Sequence, residues 1–168
     1  RAGLDLLGGR LPATAAAVRL LVPEHRLWET VALAGAGSAL YFAGVEHIDD
    51  GHPPALPPPL RQQRLLLVDA RDFSRAAPGL PPRAAGGPLA AAVICDEPRL
   101  TAVLLLAGLP GPDLPARTRD AIEALVEPLV PALRHHVRER EAQALHEAAE
   151  ADRRSLLGRL GRKDVAEA

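Results

Sequence analysis

The chain has 168 residues, 48% hydrophobic and 24% charged, with a net charge of −1. That suits one ordinary domain with its own core and excludes a whole-chain basic field for nucleic acid or an anionic membrane. No stretch approaches the ~20 apolar residues of a bilayer span, and no secretory signal is visible. A single cysteine, Cys95, excludes an internal disulfide, so a reduced, cytoplasmic setting is expected.

The apolar quota is unusual in kind. Ala supplies 32 residues and Leu 29, against four aromatics and no Met, so each aromatic is a scarce anchor. The chain does not begin with Met and both ends stop inside patterned sequence, so we read it as part of a longer protein.

In chain order, Leu4–Leu11 is a short apolar piece interrupted by glycines. Ala15–Val22 and Leu27–Ala34 are two strand-like runs separated by Pro23-Glu24-His25-Arg26, and the spacing predicts an antiparallel hairpin. Gly51–Pro88 holds nine of the 17 prolines and one strand-like run, Leu65–Val68. Lying between strand pairs that must meet, it is expected to be an ordered cover over the sheet. Leu89–Cys95 and Leu100–Ala107 form a second hairpin around Asp96-Glu97-Pro98-Arg99. Both arms are almost wholly apolar, which predicts a sheet covered on both faces.

From Ala116 onward the pattern is helical, with Ile122, Leu125, Leu129, Leu133 and Val137 recurring at helix spacing and a kink expected near Pro128 and Pro131. Between Arg134 and Arg154 ten of 21 residues are charged, so that piece is no core helix. Gly158 and Gly161 mark its expected end. The sum is about five strands, mainly antiparallel, covered by helices: an α+β domain.

No catalytic motif emerges, and the chain does not read as an enzyme. Gly35-Ala36-Gly37-Ser38-Ala39-Leu40 has Leu where a dinucleotide fingerprint needs its third Gly, and no nucleophile elbow, zincin helix, C-x-x-C or P-loop is present. The densest group of ligand-type side chains is Glu46 to His52, in which His47, Asp49 and His52 are the candidates for a metal. The preferred reading is an exposed polar loop, where such residues carry no penalty, and a metal site is the weaker alternative.

Arg19 is the single charge in Ala15–Val22, on a strand with no free solvent face. Such a guanidinium pairs with a buried acid, contacts an anionic ligand or snorkels to an open part of the sheet. Trp28 opens the second strand, while Tyr41, Phe42 and Phe73 border the cover; such aromatics fill core or line a small-molecule cavity. With Arg19 and Cys95 they make up the expected ligand-binding set.

The order of segments resembles the GAF sensory domain. The resemblance is carried by Ala15–Trp28 as the first hairpin, Leu65–Phe73 as the cover's strand and loop, Pro88–Cys95 with Leu100–Ala107 as the last hairpin, and Glu127–His136 as the closing helix. The tail, Arg153-Arg154-Ser155-Leu156-Leu157-Gly158-Arg159-Leu160-Gly161-Arg162-Lys163-Asp164-Val165, is similar to the linker entering the AAA+ domain of sigma-54-dependent transcriptional activators.

The resemblance implies a five- or six-stranded antiparallel sheet with terminal helices on one face and a ligand-pocket cover on the other, followed by a long exit helix. It divides the chain into a sensory domain (1–137), a charged signalling and dimerisation helix (138–154) and a linker (155–168) toward an AAA+ domain. It implies a small-molecule effector, a homodimer through the terminal helices, and no direct contact of this fragment with nucleic acid or membrane. It names no cofactor. The rival expectations are a dimerisation scaffold whose pocket is filled by its own side chains, and a metal-dependent sensor using the 46–52 loop.

Overall fold

A computed structural model describes residues 13–35, 38, 42, 44–80, 87–111 and 113–166. The apolar runs become strands: β1 (Ala15–Val22), β2 (Leu27–Ala34), β3 (Val45–His47), β4 (Leu65–Asp69), β5 (Pro88–Glu97) and β6 (Leu100–Ala107). They form one antiparallel sheet in the order β3-β2-β1-β6-β5-β4. Two short helices, α1 (Pro58–Gln62) and α2 (Ala70–Ala76), lie within the Pro-rich cover, and α3 (Ala116–Ala166) follows the last strand. The fold is α+β, with six strands.

Burial follows position in the sheet. In β1 and β6, flanked by strands on both sides, nearly every residue is buried, including the polar Arg19. A strand buried on both faces needs no polar alternation, hence the continuous apolar runs. The edges β3 and β4 are half-buried or exposed.

One face carries the core under the cover, where Ala15, Ala17 and Leu21 of β1 meet Leu56, Leu60, Phe73 and Leu80. On the other face Val18, Leu20, Leu104 and Leu106 are buried, and Ile122 of α3 is fully buried.

A β-bulge decides which side chains of β2 reach the core. Val18 pairs with Ala32 and Arg19 with Thr30, so Val31 is skipped in the ladder. Strict alternation would place Leu33, Val31 and Glu29 on one face. The extra residue shifts the phase, and Leu33 and Trp28 both join the core under the cover. A second irregularity, between Val93 and Cys95, does the same to β5.

The strand ends meet tightly at one corner. Thr14 donates its backbone N–H to the Ala107 carbonyl at 3.0 Å. Gly108, at φ +71°, lies so close that a Cβ there would overlap the Thr14 side chain. Only glycine satisfies both the left-handed backbone and the missing space.

By its internal contacts the chain divides into two units, Arg1–Val130 and Pro131–Ala168. The second is helical and polar. Glu139 lies 3.3 Å from His135, Arg153 lies 3.7 Å from Glu150, and Gln143 donates to Glu147 at 2.7 Å. Leu145, Leu156 and Leu157 are exposed on it. The helical backbone continues to Ala166, past the glycines at which the sequence pattern suggested an end. Among the described residues no helix is long and apolar enough to cross a membrane.

Candidate functional site

The cover closes over the β2 end of the sheet and leaves a cavity of about 360 Å³ there. Trp28 and Ile48 line it from the sheet side, Leu56 and the prolines 53, 57, 58 and 59 from the cover, and Arg75 to Pro78 from the end of α2. His52 and Arg75 are its ionisable lining residues, and no carboxylate is among them.

Each wall has a local cause. Pro57 to Pro59 start α1 without backbone N–H groups, which the first helical turn leaves unused in any case. Asp69 caps α2 by accepting the Arg71 N–H at 2.8 Å. That fixes the helix carrying Arg75 in its last turn.

The 48–52 loop is tied to the tip of the first hairpin by Arg26, in the left-handed region at φ +50°. Its Nη2 donates to the carbonyls of Asp49 at 2.9 Å and His52 at 2.7 Å, and its Nε lies 3.6 Å from the Asp50 carboxylate. The Ile48 N–H returns a bond to the Arg26 carbonyl at 2.7 Å. His52, one of the residues lining the cavity, is thereby held by its own backbone. Its Nδ1 is buried and, among the described residues, has no hydrogen-bond partner. Arg75 makes no ion pair or hydrogen bond among them either.

The residues expected from sequence fall at different depths. Trp28, 1% exposed, lines the cavity. Arg19 is fully buried deeper in the same face, where it donates to the Gly79 carbonyl and lies 5.8 Å from the centre of the Phe42 ring. It holds the turn that follows Pro78, so it supports the cavity wall without lining it. Phe42 and Phe73 are core residues under the cover.

Cys95 is in register with Ala102, and adjacent Val103 belongs to the core under the cover, so Cys95 faces the opposite side of the sheet. Tyr41 lies outside the described residues. Of the metal candidates, His52 lines the cavity while His47 and Asp49 are exposed and do not. Among the described residues no three His, Cys, Asp or Glu side chains converge as a metal site.

Sequence reasoning missed Arg26 and Arg75 as contributors. Arg26 was visible only as a turn residue, and Arg75 lies on a helix too short to announce itself by periodicity.

No protein-family model matches the sequence, and no curated protein does. Among solved structures, the GAF domain from Acinetobacter phosphoenolpyruvate-protein phosphotransferase is similar. Its TM-score is 0.50 at 13% identity, over 79% of this chain and 80% of that chain. At that identity the likeness speaks of the fold alone. The chain thus has a GAF-like α+β fold, with its proline-walled cavity on the cover side of the sheet.

Proposed function

We propose that this chain is a ligand-binding regulatory domain whose effector sits in the proline-walled cavity. One observation carries the reading: a cavity of about 360 Å³ on a GAF-like sheet, walled by prolines and apolar side chains with His52 and Arg75 among its lining residues. Concave, mostly apolar sites with a few placed polar groups are the usual form of small-molecule pockets.

In the finer form of the proposal the domain is the input module of a sigma-54-dependent transcriptional activator. It is a cytoplasmic homodimer through its terminal helices, and effector binding biases α3 and so a downstream AAA+ ATPase. The similarity of the Arg153–Val165 tail to the linker of such activators supports this form. So does the exposed, charged stretch of residues 138–154, which suits an element that docks on a second copy. A ligand can shift such a helix pair only by binding one arrangement better than the other.

The rival scaffold reading also has an observation in its favour. Directly under the cover, Arg19, Phe42, Phe73 and Leu80 fill the interior, so room for a ligand lies toward β2 and not at the centre. Native mass spectrometry of the protein from its own host, followed by thermal-shift measurement with a metabolite panel, separates the two. The sensing reading expects a co-purified molecule or a stabilised melting transition. Ligand-free preparations with no shift across the panel would leave the scaffold reading standing.

A further inference from the structure

We propose that the β4 edge of the sheet docks a second copy of this chain, the two β4 strands pairing antiparallel across a two-fold axis. This surface is separate from the terminal helices and from the cover-side cavity, so the inference does not depend on the effector reading.

The register decides which backbone groups of β4 are spent inside the sheet. Leu65 pairs with Ala92, Leu66 with Ala91 and Val68 with Leu89. The Val93 N–H donates to the Arg64 carbonyl at 2.7 Å, and the Ala70 N–H to the Gly87 carbonyl at 3.0 Å. Residues that exchange bonds alternate along an antiparallel ladder, so Arg64, Leu66 and Val68 turn their N–H and C=O toward β5. Those of Leu65 and Leu67 point the other way, past the last strand of the sheet. Among the described residues nothing bonds to them there.

Such an edge is ordinarily guarded by shortness, charge, proline or a bulge. The opposite edge is guarded: β3 has three residues, two of them polar. β4 is not. Leu65–Val68 is an unbroken aliphatic run with no proline, no charge and no irregularity in its pairing with β5, and each residue in it is half-buried. Beside it lies an apolar groove lined by Leu65, Val93, Ile94, Val126 and Val130, which extends the same surface toward α3.

Charge at the two ends of the strand selects a second copy as the occupant. Arg64 precedes the apolar run and Asp69 closes it, both exposed and neither in an ion pair among the described residues. Laid parallel to itself, the strand would set cation beside cation. Laid antiparallel, with outward residue matched to outward residue, it has two centred registers: Leu67 opposite Leu67, or Leu65 opposite Leu67. Asp69 of the second copy then falls opposite Leu65 in the first and opposite Gln63 in the second. In both it neighbours Arg64, and the two-fold axis makes the contact twice.

The experiment follows the whole chain by sedimentation equilibrium and by residue-resolved amide hydrogen exchange, from low to high protein concentration. A monomer–dimer equilibrium is expected. The Leu65 and Leu67 amides should slow as dimer forms, while those of Leu66 and Val68 are slow throughout. Leu67→Pro removes one outward N–H from each copy and leaves the ladder to β5 intact. It should weaken association by about tenfold or more. Leu67→Lys should do the same by guarding the edge, and the unfolding midpoint of each variant is the folding control. Arg64→Glu should weaken association about threefold. Leu145→Glu, on the terminal helix, should leave the protection of Leu65 and Leu67 unchanged.

A chain that stays monomeric up to about 500 μM overturns the inference. So does a dimer in which Leu65 and Leu67 exchange as fast as in the monomer, or one that Leu67→Lys leaves intact. The copies then meet elsewhere, on the terminal helices if Leu145→Glu dissociates them. Slow exchange of both amides in the monomer overturns it too, because the chain's own segments then cover the edge. The effector reading is decided separately, by ligand binding.

Discussion

The sheet has a cavity on each side, and the two differ in charge more than in size. On the cover side, about 360 Å³ is lined by prolines, Trp28, His52 and Arg75, with no carboxylate. On the helix side, a groove of about 450 Å³ lies between the β4–β5 edge and the start of α3, lined by Val93, Ile94, Val126 and Val130 with Arg64, Glu123 and Glu127.

The larger hollow carries two carboxylates beside one guanidinium, and the smaller carries no carboxylate among its lining residues. Volume alone therefore says little about what either would admit. Their donors and acceptors separate them.

The largest test of this contrast removes the buried anchor behind the cover-side cavity. Trp28→Ala should destabilise the domain by about 3–5 kcal/mol, measured by urea unfolding followed by circular dichroism. A loss under about 1 kcal/mol would mean that Trp28 does not anchor the β2 end of the core.

Gly108→Ala comes next. It forces a side chain into a left-handed residue and against Thr14, so unfolding should show a loss of about 2–3 kcal/mol. Gly108 is not among the residues lining either cavity, so the substitution should weaken the protein without altering Trp28 emission at temperatures where it stays folded.

Arg26→Gln cuts the tie between the hairpin tip and the 48–52 loop. We expect a cost of about 1 kcal/mol and a changed Trp28 emission, since the Asp49 and His52 carbonyls lose their donor and the loop packed by Trp28 loosens. Unchanged emission would show that the loop holds its place without that tie.

The smallest effect is expected on the helix side. Glu123→Gln with Glu127→Gln should move stability by no more than about 0.5 kcal/mol and leave Trp28 emission unaltered. A large change in that emission would show the two sides to be coupled and would break the contrast.

Much of this architecture could be read from the chain, and the omissions have physical causes. Ala15–Val22, Leu27–Ala34 and Leu100–Ala107 are apolar runs bounded by turn residues, and their strands match those bounds. β3 is only three residues, two of them polar, and exists because β2 offers it a partner; no local signal specifies it.

α1 is five residues inside a run of prolines, too short for a helical period to register. α2 is hidden for the same reason, and with it went Arg75. The skipped Val31 is invisible in Leu27–Ala34, since nothing there says which residue drops out of the ladder. Trp28 was found because tryptophan is scarce here. His52 was noticed with nearby His and Asp residues as a metal candidate, and of these only His52 is among the residues lining the cavity.

The proline wall has a consequence for how recognition would feel energetically. A proline backbone has one of its two rotations already fixed, so a wall built of them has little motion left to surrender when a guest arrives. Much of the ordering was completed when the chain folded. Such a site behaves as a rigid mould: its discrimination comes from shape and charge fixed beforehand, and amide hydrogen exchange, blind to residues without an N–H, would register a guest mainly through its neighbours.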